Sequence, residues 1–465
     1  QSLHLYASGP DQAHIQHYDL NPVIGDTVCA HEGYQQFLNW IIRHFGVGRI
    51  IVSSLIGHSL DCLAQPIPTA QVLHDFYIAS PVLDVDPLDY LKEDGAVDLG
   101  TLIADNQSTF KFPNTHLSHW TQLRDHWLSR VKTSDVRLIA PSQPVVDRWN
   151  ALFSFDLPSI KVIPHGFDRP SDWPSLTTTH TKASDTQPLR LVTVGRMSSG
   201  KGLHRLLEAS RALGSKVHWT ILGGGYDAMR AFGQKNLDVI FDYDMETLPA
   251  HLENIAPDAV VFLSRVPETW NYVLSEVWSL GLTPIAPALG SFQERIHHGQ
   301  DGFLYEPSTE GLIELLEYLI TGTEHWLEPF VPPREPSLAE AIAVYDQHIP
   351  AELVTSYPSM FPLRDACTYS LQADLLTQKQ KALDQSHDEI EKLHATIRDQ
   401  ASMLDRLDRT LKERTAWAVS LQQSIQSNDS STEAGEVGET TYKSQRTAEL
   451  KSENKTLRAA LTHAQ

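Results

Sequence analysis

Short apolar runs alternate with helix-patterned segments along both halves of the chain, and this alternation limits the possible folds most. Continuous apolar runs of this length, ending in polar residues or glycine, are typical of parallel strands covered on both faces. Segments 32–46 and 116–131 lie between such runs and have the spacing of amphipathic helices. We therefore predict an α/β domain over 1–170. Its predicted strands are GRIIVSSLIG (48–57), TAQVLHDFY (69–77), DVRLIAPS (135–142) and SIKVIPHG (159–166).

A second alternation follows a polar stretch. The segment 168–188 is rich in Ser, Thr, Asp and Pro, which predicts an interdomain linker, placed at 171–188. Strands and helices then alternate again, which predicts a second doubly wound α/β domain over 189–330. The Pro-rich run EPFVPPREP closes it, and we expect a closing helical segment over 331–367. The predicted order is strand LRLVTVG, helix GLHRLLEASRALG, strand KVHWTILGGG, strand DAVVFLS, helix WNYVLSEVWSLG and strand TPIAPA.

The composition changes at about residue 368 to Gln, Lys, Asp, Glu and Leu. Apolar residues then recur every seven positions, and a second row three residues later is apolar only in part, at Leu393, Leu407 and Leu421. This pattern predicts a coiled coil over 368–427 and a homo-oligomer, with a polar linker and short helix over 428–465. The alternative is a stripe that folds back on the α/β domains. The complete row is Leu376, Leu383, Ile390, Ile397, Leu404, Leu411, Ala418 and Ile425.

The chain has 465 residues and a formal net charge of −21, which argues against a nucleic-acid partner because a phosphate backbone requires a basic face. Its cysteines, Cys29, Cys62 and Cys367, are too dispersed for a disulfide framework or a zinc site, so we expect a reducing compartment. We expect neither a membrane span nor a signal peptide. The chain begins with Gln1, which leaves open that it belongs to a longer protein with further domains.

Two basic residues follow the first strand of the second domain, in VTVGRMSSGKGLHRLLEA. A strand–loop–helix turn offers free backbone N–H groups and a positive dipole end, which suits an anion. With Arg196 and Lys201 in the loop, it suits a diphosphate. The alternative is a pair of solvated surface cations.

Two acids flank the next polar loop, in ETWNYVLSE. We expect Glu268 in the loop and Glu276 inside a helix running from about Asn271 to Leu280. Ligands of open α/β sheets bind at the carboxyl ends of the strands, where an acidic residue commonly accepts from ribose hydroxyls. The two acids would then contact different parts of one extended ligand. The alternative is that Glu268 caps the helix and Glu276 lies on its solvated face.

Together, GRMSSGKGLHRLLEA, ILGGGYD and PETWNYVLSEVWSLGLTPIAPALGSFQERIHHGQDGFLYEP resemble the donor domain of retaining GT-B glycosyltransferases of family 4, with their E-x7-E motif. The segments 141–149 and 161–168 resemble that family's crossing between domains. The resemblance covers about 69–307 and implies two Rossmann-like domains facing a cleft, the first binding the acceptor and the second the nucleotide-sugar.

The resemblance also implies roles for individual residues. Arg196 and Lys201 would hold the donor diphosphate, with Gly290 and Ser291 near it, and Glu276 would bind the ribose. Glu268 would contact the transferred sugar, with Asn271, Tyr272 and Glu294 near that sugar. His74, in VLHDFY, would line the reaction centre, giving His74 and Glu268 as the catalytic pair.

The resemblance implies transfer with retention and without cofactor or catalytic metal. The motif departs from the family's Pro-Phe-Gly at Thr269–Asn271, a departure associated with modular bacterial polysaccharide transferases; the family's first Gly-rich loop is not evident in LHLYASGPDQAH. The expected acceptor is a glycan or lipid-linked glycan of O-antigen or capsule type. The expected location is the cytoplasm, with contact to the inner face of the bacterial plasma membrane left open. The alternatives are a catalytically inactive scaffold that oligomerises through the coiled coil, and an epimerase, whose acid/base carboxylates are not identified.

Overall fold

The computed structural model of the protein describes residues 2–7, 14–176, 187–322, 326, 330–353 and 355. All of them lie in the first of two units into which the chain divides, Gln1–Phe361. The predicted coiled coil, the segment 428–465 and most of the predicted linker lie outside the described residues. The homo-oligomer therefore stays a prediction.

A four-stranded parallel sheet, called here the first sheet, organises the amino-terminal part, in the strand order β3-β4-β5-β6. A separate antiparallel hairpin of β1 and β2 precedes it. The strands are β1 Ser2–Tyr6, β2 His14–Asp19, β3 Ile50–Val52, β4 Thr69–Val72, β5 Val136–Ala140 and β6 Ile160–Val162, and the α-helices are α1 Glu32–Phe45, α2 Leu99–Asp105, α3 Leu117–Thr133 and α4 Gln143–Leu152.

Large aromatic side chains fix the helices on this sheet. Trp127 of α3 and Trp149 of α4 are fully buried, with ring centroids 5.2 Å apart. The Trp127 indole N–H also donates to Gln71 Oε1 of β4 at 2.8 Å. This bond stabilises the packing of α3 on β4, because leaving a buried indole N–H unsatisfied costs about 1–3 kcal/mol. This contact anchors β4, whose carboxyl end carries His74.

A six-stranded parallel sheet, the second sheet, organises the following part. Its strand order is β9-β8-β7-β10-β11-β12, so the order reverses between β7 and β10, as in a doubly wound dinucleotide-binding fold. The strands are β7 Leu189–Val194, β8 Val217–Leu222, β9 Leu237–Ile240, β10 Ala259–Val261, β11 Pro284–Pro287 and β12 Phe303–Tyr305, and the α-helices are α5 Leu203–Leu213, α6 Leu248–Ile255, α7 Tyr272–Ser279, α8 Ser291–Arg295 and α9 Thr309–Thr321.

The chain returns to the first sheet through a last helix, α10 (Leu338–His348). Ile349, directly after α10, is fully buried in a cluster with residues of β4 and β5. The outgoing and returning segments also touch each other: Phe167 N donates to Pro336 O at 2.9 Å and Leu338 N donates to Asp168 Oδ1 at 3.1 Å. Gly166 is required there, because a Cβ would lie 2.4 Å from the Ser337 carbonyl oxygen.

The predicted α/β architecture with parallel sheets is confirmed. Some predicted strands are too long: TAQVLHDFY was predicted through Tyr77, but β4 ends at Val72 because the chain turns, with His74 N donating to Val72 O at 3.1 Å. Strands β1, β2, β9 and β12 were not predicted. Among the described helices, none combines the length and the apolar character needed to cross a membrane.

Candidate functional site

The predicted donor residues lie at the strand-order reversal of the second sheet. Adjacent strands β7 and β10 send their following connections in opposite directions, which leaves a crevice at their carboxyl ends. Arg196 and Lys201 lie in the loop after β7, and Glu268 lies in the loop after β10. Sequence reasoning therefore placed these residues on the two connections that border this crevice.

The two loops pack directly on each other. Gly202 has φ +84°, and a Cβ there would lie 2.0 Å from the Leu263 carbonyl oxygen, so only glycine fits. Arg265 N donates to Gly200 O at 2.9 Å. Helix α5 starts after Gly202 without a side-chain capping bond, which leaves first-turn N–H groups for another acceptor.

Lys201 and Glu268 meet in this structure. The Lys201 ammonium pairs with Glu268 Oε1, which also accepts from the Ser264 hydroxyl at 2.6 Å. The carboxylate is largely buried, whereas Lys201 is half-exposed. Arg196 is exposed and packs near Gly225, which follows β8. The predicted diphosphate cation and the predicted sugar carboxylate are therefore direct neighbours.

Helix α8 supports the loop that carries Glu268. Gly290 has φ +60°, and a Cβ there would lie 2.5 Å from the Glu268 carbonyl oxygen. Ser291 is fully buried; its N–H donates to Glu268 O at 2.8 Å and its hydroxyl to Trp270 O at 2.9 Å. Both polar groups of Ser291 thus hold the loop, and the phosphate contacts of Gly290 and Ser291 stay predictions.

Arg295, which sequence reasoning missed, is the centre of this support. Its buried guanidinium donates to Trp270 O at 2.5 Å, to Asn271 O at 2.8 Å and to Ser275 Oγ at 2.7 Å, and pairs with Glu335. The group also stacks over the Trp270 ring, 3.9 Å from its centroid. No sequence signal distinguished this arginine from a surface residue of a short helix.

Asn271 and Tyr272 begin helix α7. The Asn271 side chain accepts from Leu274 N at 3.1 Å, and its φ of +69° is one that asparagine tolerates better than most residues. Tyr272 is half-exposed, and its ring stacks on His165 with centroids 5.5 Å apart. The predicted sugar contacts of both residues stay predictions, because the structure shows them as a helix cap and a stacking partner.

Glu276 lies deeper, inside α7. It is 3% exposed, and its Oε2 atom has no hydrogen-bond partner among the described residues. Burial raises the pKa of this carboxyl to about 7, and its charge contributes to the raised pKa of Tyr243. The solvated-face alternative for Glu276 is wrong. A buried acid without a partner is costly, and a ligand hydroxyl would satisfy it.

Two histidines from the first sheet face the loop that carries Glu268. His74 follows β4 and His165 follows β6, with ring centroids 5.0 Å apart. Burial lowers the pKa of both imidazoles, that of His165 to about 4, so both are neutral at neutral pH. His165 was not predicted, although a polar residue near the end of a predicted strand, in IPHG, was the available signal.

Hydrogen bonds join the two sheets at what we call the seam. Thr269 Oγ1 donates to His74 O at 2.9 Å, and Thr269 O accepts from Ser142 Oγ at 3.0 Å. Glu294 Oε2 accepts from Gln143 N, the first residue of α4, at 2.6 Å. Glu294 therefore links α8 to α4, and its sugar contact stays a prediction.

A cavity of about 200 Å³ lies beside the seam, and we call it the reaction cavity. His74 lines it from the first sheet and Glu268 from the second, so the structure brings the predicted catalytic pair to one space. Among the described residues, no group of three or more His, Cys, Asp or Glu side chains is arranged as a metal site. The site thus combines a basic loop, the buried carboxyl group of Glu276 and a small cavity between two sheets.

One family model matches part of the chain. Residues 188–322, which span the second sheet, match the model described as Glycosyl transferases group 1. Among curated proteins, no sequence matches this chain significantly.

Several solved structures resemble it at low identity. Alr3699/HepE from Anabaena, in complex with UDP-glucose, is 19% identical over 61% of this chain and 68% of its own, with a TM-score of 0.37. Sucrose-phosphate synthase from Thermosynechococcus elongatus is 14% identical over 75% and 78%, with a TM-score of 0.42. The lipopolysaccharide outer core galactosyltransferase WaaB is 12% identical over 62% and 71%, with a TM-score of 0.40.

Proposed function

We propose that the protein is a retaining glycosyltransferase that moves a sugar from a nucleotide-diphosphate donor to a growing bacterial surface polysaccharide. The observation that carries this proposal is Glu276 on the helix that follows the strand-order reversal, a buried carboxylate with no partner in the described part of the chain. An unsatisfied carboxylate in that position suits the hydroxyls of a nucleotide ribose. The group 1 match over 188–322 supports the same assignment.

The basic loop would hold the donor diphosphate. Arg196 is exposed beside the Gly-rich turn after β8, and Lys201 precedes the uncapped start of α5. A guanidinium fork, an ammonium and free N–H groups together neutralise a diphosphate better than one cation does. The Lys201–Glu268 pair would then open, with the ammonium turning toward phosphate and Glu268 toward the sugar.

This arrangement explains how transfer would be promoted. The bond between the anomeric carbon and the diphosphate oxygen breaks with its electron pair on the diphosphate. The acceptor oxygen forms the new bond on the same face, and its proton passes to the departing diphosphate. Arg196 and Lys201 would stabilise the charge that develops on the leaving group, and such preorganised charges are usually a large part of catalysis.

Nucleotide binding and turnover test the proposal. UDP-, GDP-, dTDP- and CMP-sugars are compared by thermal stabilisation, since a ligand at 100 times its dissociation constant adds about 2.7 kcal/mol. Lys201→Ala should lower kcat/KM for the active donor at least about 30-fold, equivalent to about 2 kcal/mol. Lys216→Ala, an exposed lysine after α5, is the matched control and should behave like wild type. Binding without hydrolysis or transfer would favour the inactive scaffold.

Two finer features have their own readouts. The anomeric configuration of the product, read by NMR coupling constants, should equal that of the donor. Activity should persist in excess EDTA; a strict requirement for added Mg²⁺ would overturn metal independence while leaving donor binding intact.

A further inference from the structure

The reaction cavity has a wall that the donor residues do not use. On the side of the first sheet it is lined by Asp75 and Ser80, which follow β4, and by apolar side chains that include Val82, Leu83 and Val85. On the other side lies the loop 266–269 with Glu268. Polar groups at one edge and apolar groups at another are the pattern that fits a sugar ring, with its hydroxyl edge and its C–H faces.

Ser80 contributes a buried hydroxyl to this wall. The residue is 1% exposed, and no residue that the structure describes hydrogen-bonds to its hydroxyl. A buried hydroxyl left unsatisfied costs about 1–3 kcal/mol, so a ligand that bonds to it recovers that cost.

Asp75 supplies an acceptor in the same wall. Its Oδ1 accepts from Tyr77 N at 2.9 Å, and no donor to its Oδ2 occurs among the described residues. Burial raises the pKa of this carboxyl, which means that the cavity solvates the anion poorly. A ligand hydroxyl donating to Oδ2 would stabilise the anion.

Size and position identify the occupant. A volume of about 200 Å³ lies below the roughly 300–1,000 Å³ of pockets for drug-sized ligands, so the cavity suits one monosaccharide unit. The transferred sugar, still bonded to the diphosphate, would lie at Glu268, which pairs with Lys201 of the diphosphate loop. Asp75 and Ser80 lie on the wall opposite Glu268, so a sugar bonded to them would lie against the transferred sugar and not in its place.

We propose that Asp75 and Ser80 form the acceptor subsite, which binds the terminal pyranose of a glycan, with Asp75 Oδ2 accepting from one hydroxyl and Ser80 Oγ bonding to a neighbouring one. The assignment rests on the proposed function and adds the residues that select the acceptor. The apolar wall contacts a C–H face of the same ring.

The test is saturation-transfer NMR on the full chain with the nucleoside diphosphate that stabilises it. The probes are the methyl α-glycosides of glucose, galactose, mannose and N-acetylglucosamine. At least one should bind, and Ser80→Ala and Asp75→Asn should each weaken that binding at least tenfold while the affinity for the nucleoside diphosphate stays within twofold. Asp125→Asn combined with Ser129→Ala, both exposed on α3, is the matched control and should leave glycoside binding unchanged.

The serine variant separates binding from folding. The Ser80 hydroxyl makes no hydrogen bond within the described ranges, so Ser80→Ala should keep or raise the melting temperature. The assignment is overturned if neither variant weakens glycoside binding, or if no probe binds while the nucleoside diphosphate does. A chain that binds no nucleoside diphosphate at all would instead count against the proposed function.

Discussion

A buried carboxyl group titrates differently from one on the surface, and Glu276 is buried with no hydrogen-bond partner for its Oε2 atom among the residues described. Desolvation raises its pKa to about 7, against a usual value near 4.5. The folded protein therefore binds this proton more tightly than the unfolded chain does. The stability contributed by this tighter proton binding at Glu276 is fully present below about pH 4.5 and is lost as the pH rises through 7.

A residue-scale prediction follows for Glu276→Gln, which cannot ionise. The free energy of unfolding of this variant should match wild type near pH 4.5 and exceed it by on the order of 3 kcal/mol at pH 8. Urea denaturation at the two pH values measures the difference, and Glu253→Gln, exposed on α6, should show none. The same variant should bind the nucleoside diphosphate more weakly. A Gln variant less stable than wild type at pH 8 would mean that the carboxylate has a stabilising partner.

At the scale of elements, the loop 268–271 is held from both sides. Helix α8 holds it through Ser291 and Arg295, while the carboxyl ends of the first sheet hold it through the two hydrogen bonds of Thr269. The position of Glu268 thus depends on both sheets being docked. A residue without a side-chain donor at 269 would lose the hydrogen bond to His74 O.

Thr269→Val tests the seam, because it keeps the shape of the side chain and removes the donor. We expect kcat to fall about tenfold, with the nucleoside diphosphate affinity unchanged, since the loss is one hydrogen bond worth about 1 kcal/mol plus the misplacement of Glu268. Thr269→Ser, which keeps the donor, should restore most of the rate. Equal rates for the Val and Ser variants would show that the hydrogen bond to His74 O has no role in turnover.

Patterns local to one loop were predictable, and contacts between distant loops were not. Arg196, Lys201, Glu268 and Glu276 could be placed because each follows a recognisable strand, and parallel strands end at one edge. Arg295 and Thr269 could not be placed, because their contact partners depend on how α8 and the first sheet pack against the loop 268–271. A single sequence does not reveal that packing. The seam partner of Glu294 is a backbone N–H 151 positions away in sequence.

For the whole molecule, assembly is the open prediction. Eight consecutive heptad positions from Leu376 to Ile425 are apolar, too long a stripe to remain solvated on an isolated helix. We expect the full chain to be a dimer or trimer and a version ending at Phe361 to be a monomer that keeps its activity. Light scattering at tens of micromolar protein measures the mass of both. If the full chain and the shortened version are both monomeric, the heptads do not assemble the protein.

The paired crossings at Gly166–Asp168 and Pro336–Leu338 have a mechanical consequence. Two parts of a chain joined by one connection can rotate about any axis. Two connections that are hydrogen-bonded to each other act as a hinge and restrict that rotation. The main movement left to the sheets is then one rotation, with its axis near Gly166 and Ser337. Such a rotation would move the Thr269–His74 and Glu294–Gln143 contacts little, because both lie close to the axis. The ring of His165, next to Gly166, is centred 5.0 Å from that of His74, and Glu335, next to Pro336, pairs with Arg295, the neighbour of Glu294.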